Sequence, residues 1–214
     1  MIITREQLQQ VSDADYYDGS ILHDRFAYKT CRAIRNDDPE ARIYPTAYGN
    51  IFAFQAPMKV TDHLVDLEDS LSNDFIHSES AMNFIIELPN VSALTGVLFQ
   101  RLFNVNLSAI LMAQTQTHYI VNGDDILQPD GVQLGSVKGQ PDGTGKVSVS
   151  ISHKVDDAVL IHTGINIKPG SDAPDFAVGT NMSDEEANNF MQAGIDLFNF
   201  MAYDCFEATT KTIR

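Results

Sequence analysis

The sequence predicts an α+β fold, a single domain of mainly antiparallel sheet packed by three or four helices. Two stretches carry that expectation. Lys146–Ile151 and Ala158–Lys168 alternate polar and apolar residues with a period of two, and the polar run HKVDD between them makes an antiparallel hairpin. Ser183-Asp-Glu-Glu186 is a capping box followed by apolar residues at helical spacing: Ala187, Phe190, Met191, Gly194, Ile195, Phe198, Met201, Ala202 and Cys205. No repeat or linker divides the 214 residues, so one domain over 1–214 is expected, with 183–209 as its C-terminal packing helix.

The remaining elements follow in order. Thr4-Arg5-Glu6-Gln7 fits a capping box and a short helix to about Val11. Asp13–Ser20 is turn-like, with Asp18-Gly19 its strongest signal, and Asp18 is a candidate ligand contact. A strand is expected over His23–Cys31, a loop over Arg35–Ala47, and a strand over Asn50–Phe54 that Pro57 ends or caps at a sheet edge. Ser78–Leu88, stopped by Pro89, reads as a helix. Ser92 opens a longer helix to about Gln114, with Leu94, Val97, Leu98, Leu102, Val105, Ala109 and Met112 as its packing stripe. His118–Val121 reads as a strand, Asn122-Gly123 as a turn, and Pro129–Gly145 and Gly170–Asn181 as loops.

The hairpin carries the first functional expectation. A five-residue loop sets Ser152 opposite Ala158, Ser150 opposite Leu160, Ser148 opposite His162 and Lys146 opposite Gly164. Lys146, Ser148, His162 and Asn166 then share one face around a residue with no side chain. A cation, a hydroxyl, an imidazole and an amide around such a gap form a ligand floor, with Ser150 alongside; the alternative is a solvated sheet face. In VTDHLVDLEDSL, Asp62, Asp66 and Asp69 share a helical face, whereas Asp66 and Glu68 share one in an extended segment. Asp66 and Asp69 are candidate ligands for magnesium, which needs few carboxylates; the alternative is a solvated acidic face. Gln100-Arg101 is the polar pair of the long helix, and Arg101 can fork onto a carboxylate or phosphate or pair with an acidic side chain.

Composition limits the classes. The net charge of −15 argues against general nucleic-acid binding but leaves room for a small-molecule substrate. Cys31 and Cys205 give neither a disulfide framework nor metal-ligand spacing, which fits a reducing cytoplasm. No membrane span and no signal peptide are expected. Phosphate-binding P-loop, GxGxxG, GxSxG, HExxH and paired CxxC motifs are missing.

YYDGS (16–20), FQAPMKVTDHLVDLED (54–69), MNFIIE (82–87), LFQRLF (98–103), GDDI (123–126), KVSVSI (146–151) and LIHTGIN (160–166) together resemble the domain-of-unknown-function family 366. That family is largely archaeal, with bacterial and viral members. The resemblance covers most of 16–180 and raises Asp66, Glu68, Asp69, Gln100 and Arg101 as site candidates. Its viral members suggest a role in 7-deazaguanine metabolism, such as decarboxylation of a 7-carboxy base. GDDI, GKVSVSI and LIHTGINI are also similar, in order, to elements of biotin and lipoate protein ligases. Lys146 matches the lysine that contacts the acyl-adenylate there, and Gly164-Ile165-Asn166 matches the later turn. The glycine-rich RRxGGG motif of those ligases has no counterpart.

The expected function is therefore a small-molecule enzyme for a compact anionic or purine-like metabolite. Lys146 would anchor the anion and His162 would give or take a proton. Asp66 and Glu68 would act as base or recognise N–H donors, and Ser148, Ser150, Asn166, Arg101, Gln100 and Asp18 would contact the substrate. An ATP- and magnesium-dependent ligase-like transferase is the second class. A non-catalytic binding module, with a homodimer joined through sheet edges, is the third.

Overall fold

Two long strands, β2 (Ile76–Pro89) and β7 (Ala158–Pro169), form the centre of the computed structural model, which describes residues 16–19, 22, 49–62, 64–67, 71, 76–132 and 137–211. β1 (Asn50–Val60) pairs outside β2 and β6 (Ser148–Val155) outside β7, giving an antiparallel sheet in the order β1-β2-β7-β6. A smaller antiparallel sheet, β3 (Ile120–Asn122), β4 (Asp125–Gln128) and β5 (Gly145–Lys146), sits beside it. The two sheets are tied where Ile126 N–H donates to Ser148 Oγ at 2.8 Å and Val147 N–H donates to the Ile126 carbonyl at 3.0 Å.

Helices α1 (Ala93–Thr115) and α2 (Asp184–Thr210) cover one face of the large sheet. Phe84 of β2 meets Phe103 of α1 and Phe190 of α2 edge-on, with ring centroids 5.8 and 5.9 Å apart. The opposite face carries a second cluster: Phe52, Phe54, Ala56, Met58, Ala81 and Ile85, with Tyr17 packed on it. Because both faces are covered, Ala158–Ile167 is buried without interruption, and so is Ala81–Leu88. Neither the predicted solvated face nor an open ligand floor exists on β7.

The caps behave as their chemistry requires. Ser92 Oγ accepts from Thr95 N–H at the start of α1, and Ser183 and Glu186 close a complete capping box on α2. Eight of the nine predicted α2 core positions are buried; Cys205 is exposed. β1 runs through Pro57, which lies at a register irregularity on the sheet edge. The Pro57 carbonyl accepts from Tyr17 N–H at 2.9 Å, and Lys59 N–H donates to the Tyr17 carbonyl at 2.9 Å.

Four expectations are corrected. Ser78–Leu88 is strand, because a buried central strand shows the same apolar run as a buried helix. The buried positions of α1 are Gly96, Gln100, Phe103, Asn104, Leu107, Ser108 and Leu111, while Leu94, Leu98, Leu102, Val105 and Ala109 face outward. α1 is also long and apolar enough to cross a membrane by length and composition, contrary to expectation. Finally, β6 and β7 join through a two-residue turn, Asp156-Asp157, with Asp156 at φ 51°. The pairing is Ser148↔Ile165, Ser150↔Thr163 and Ile151↔His162. This is three residues from the expected register, and an odd shift exchanges the faces. The expected helix to Val11, the strand over His23–Cys31 and the loop over Arg35–Ala47 lie outside the described residues, as do Glu68 and Asp69.

α1 approaches β7 closely because Gly96 has no side chain: a Cβ there would overlap the Val159 side chain. Gly96→Ala gains about 1 kcal/mol of helix propensity but overpacks by about 1–3 kcal/mol, so a net loss of stability is expected. Val159→Ala should cost less in that background than in the wild type, by at least about 0.5 kcal/mol in urea denaturation. Additive costs would contradict the contact.

Candidate functional site

A closed ring of hydrogen bonds links α1, β6, β7 and the β3–β4 turn. Arg101 Nη1 donates to Gln100 Oε1 at 2.9 Å, and Gln100 Nε2 donates to Ser150 Oγ at 2.8 Å. Ser150 Oγ and Thr163 Oγ1 are 2.8 Å apart, and Thr163 donates to Asn104 Oδ1 at 3.0 Å. Asn104 Nδ2 then donates to the Asp124 carbonyl at 2.9 Å, and the Asp124 carboxylate returns to Arg101 Nη1 at 3.4 Å. Thr163 donates its one proton to Asn104, so Ser150 is the donor between the two hydroxyls, its proton shared with the His162 carbonyl at 3.1 Å. From the guanidinium the donors run through Gln100, Ser150, Thr163 and Asn104 to the Asp124 carbonyl, and the guanidinium also faces the Asp124 carboxylate from the other side. Gln100, Asn104, Ser150 and Thr163 are all buried, which makes the ring a strong constraint on where Arg101 points.

The ring ends at a cluster of charge. Gly123 at φ 64° and Asp124 form the two-residue turn between β3 and β4, and glycine suits the first place in such a turn. That turn sets Asp124 beside Arg101 and begins β4 with Asp125. Lys146 is not in the hairpin; it pairs with Leu127 in the small sheet and places Nζ 2.7 Å from Asp125 Oδ1. Its backbone is held by bonds to Phe176 and Val178 in the 170–181 loop. Burial pushes the Asp124 carboxyl above its ordinary range; Arg101 and Lys146 pull it down, and Asp125 adds to the rise. Two cations and two carboxylates thus share a partly buried corner, where burial raises the pKa of Asp124.

His162 lies on the other side of the sheet. It is buried, stacked on Tyr17 with ring centroids 4.0 Å apart, and its Nε2 is 2.9 Å from Asn83 Oδ1. The Asn83 amide nitrogen donates to the carbonyls of Ala56 and Ala81, so its oxygen faces the ring and His162 is the Nε2–H tautomer. A Cβ at Gly164 would meet Met58 Sδ on this same face. Burial pushes the imidazole down to about 3 and the Tyr17 hydroxyl upward.

The predicted site residues therefore separate. Gln100, Arg101 and Ser150 come together in the ring, with Lys146 near its Asp124 corner. Ser148 ties the two sheets and does not face His162. Asn166 donates through Nδ2 to the Val178 carbonyl at 3.2 Å, anchoring the following loop. Asp18 adjoins Tyr17, and Asp66 lies in the segment after β1. Among the described residues no group of three metal-ligating side chains forms. Asn104, Thr163, Asp124 and Asp125 were missed as site residues. Gln100, Asn104 and Ser108, four apart, were the available signal of a buried polar stripe.

His162 makes the fold sensitive to acid. Below about pH 6.5 the unfolded chain takes up a proton that the folded imidazole refuses until about pH 3. The stabilisation is full above 6.5 and declines as pH falls through that window, by up to about 1.4 kcal/mol per pH unit. Urea denaturation at pH 4–7 should show a shallower pH dependence for His162→Gln; an unchanged slope would contradict a neutral buried ring.

The fold is similar to that of a protein of unknown function from Pyrococcus horikoshi, with a TM-score of 0.71 and 19% identity over 100% of this chain and 98% of that one. It is also similar to LipL1 from P. falciparum, solved in complex with lipoate, with a TM-score of 0.52 and 12% identity. That match covers 94% of this chain and 60% of the other. Biotin protein ligase from Aquifex aeolicus, solved with biotin and ATP, matches at a TM-score of 0.48 and 15% identity over 72% of this chain and 62% of the ligase. The fold is thus a mixed α+β arrangement similar to that of the P. horikoshi protein and of LipL1. No match was found among curated proteins. The family described as Domain of unknown function (DUF366) matches residues 7–212, and the chain belongs to it.

Proposed function

We propose that the protein is an enzyme that binds a compact, anionic, purine-like metabolite at the Arg101, Asp124, Asp125 and Lys146 corner, and that it decarboxylates 7-carboxy-7-deazaguanine. The observation that carries this reading is the pairing of two cations with two carboxylates, one of them raised in pKa, at the end of a rigid ring. Lys146 and Arg101 suit a substrate carboxylate. Asp125 suits the N–H donors on the amidine edge of the base.

The chemistry needs a proton at the ring carbon that bears the carboxylate. Protonated Asp124 gives that proton to carbon 7. The bond from carbon 7 to the carboxylate then breaks, its electron pair restores the aromatic ring, and CO2 departs. Solvent reprotonates Asp124. The carboxylate loses its charge in this step, so a cation that held it too tightly would favour the ground state. Sharing Lys146 with Asp125 moderates that hold.

A ligase-like reaction is the second reading, favoured by the fold similarity to LipL1 and by the place of Lys146 after the GDDI segment. A thermal-shift series separates the two, using 7-carboxy-7-deazaguanine, 7-deazaguanine, biotin, lipoate and ATP, each with and without magnesium. A ligand at a hundredfold excess over its Kd should stabilise the fold by about 2.7 kcal/mol. The carboxylated base should give that shift, Lys146→Ala should lose it, and turnover in D2O should leave deuterium on carbon 7. Asp124→Asn should retain binding and lose at least about a hundredfold in rate. No shift and no CO2 from the carboxylated base would overturn the reading, and a shift with ATP and magnesium would favour the ligase.

A further inference from the structure

The outward line of α1 is apolar from end to end: Leu94, Leu98, Leu102, Val105, Ala109 and Ala113 are all exposed. The four large residues keep 67%, 61%, 47% and 50% of their surface open to solvent. A line of this kind, about 28 Å long at 1.5 Å per residue, is larger than the scattered exposed side chains of an ordinary surface.

We propose that this ridge is an interface with a second copy of the same chain, packed antiparallel across a two-fold axis. The spacing of the ridge reads the same from both ends, with steps of four, four, three, four and four residues. Its midpoint falls between Phe103 and Asn104. Turning one copy about that point sets Leu94 against Ala113, Leu98 against Ala109 and Leu102 against Val105. The two longest side chains at one end thus meet the two smallest at the other, the large-to-small match that fills a helix pair without voids. An isologous contact needs only this one surface, because each copy supplies both halves.

Charge does not oppose this contact at the ridge itself. Each chain carries −15, which opposes contact with a second copy or with an anionic lipid surface wherever carboxylates approach. The single charged residue in α1 is Arg101, and it is engaged by Gln100 and Asp124. The ridge therefore brings no carboxylate to the contact.

The full chain should sediment at twice 23.7 kDa and dissociate on dilution. Leu98→Glu with Leu102→Glu should raise the dimer Kd on the order of a hundredfold or more. The unfolding midpoint of the monomer should stay unchanged, because both positions are exposed. Register is read in a Cys31→Ser, Cys205→Ser background. Mixed Leu94→Cys and Ala113→Cys chains should cross-link on mild oxidation, whereas Leu94→Cys alone should not. A monomer at every accessible concentration, or a dimer that survives the double glutamate variant, would overturn the proposal. So would binding to neutral phosphatidylcholine vesicles in place of self-association.

Discussion

The buried ring that runs from Arg101 through Gln100, Ser150, Thr163 and Asn104 to Asp124 is the constraint on which the arrangement of this protein depends. Buried amides and hydroxyls are costly when unpaired, on the order of 1–3 kcal/mol each, so the members must be satisfied together. Satisfying them fixes the rotation of α1 about its own axis. Gln100 and Asn104 must face the sheet, and the leucines at 94, 98 and 102 must then face away. The same ring fixes the β3–β4 turn through the Asp124 carbonyl, and with it the charged corner.

The large sheet supports this from both sides. One face packs on α1 and α2 through Phe84, Phe103 and Phe190. The other packs under Tyr17, where His162 and Asn83 form a second buried polar contact. With both faces closed, the sheet offers no open floor for a ligand, and the charged corner lies at its edge. There the small sheet joins at Ser148 and Val147, and Lys146 and Asp125 meet. Rigid central strands thus hold a charged corner made from a turn, a short strand and one helix.

Much of this was legible in the residues, and the failures share a cause. The capping residues Ser92, Ser183 and Glu186 announced both helix starts because a cap is local chemistry. Lys146, Arg101, Gln100 and Ser150 stood out as polar residues in apolar settings, and they do converge. The face that gathers them was misread because the hairpin closes through Asp156 at positive φ, with no glycine to mark a two-residue turn. Ser78–Leu88 read as helix because an apolar run buried on both sides has no period. The α1 stripe was assigned to the core because hydrophobicity usually marks the buried side. Here Gln100 and Asn104 lie inside and Leu94, Leu98 and Leu102 outside, an inversion that only the tertiary partners of the two amides reveal.

A double-mutant cycle on the ring tests the central claim most directly. Gln100→Met and Asn104→Leu each remove hydrogen-bonding groups while keeping about the same bulk, and no direct hydrogen bond joins these two side chains. If they act through Ser150 and Thr163, their effects on unfolding free energy should couple by about 0.5–3 kcal/mol. Additive effects would mean that the ring is only a set of independent contacts, and that the placement of Arg101 and Asp124 has another origin.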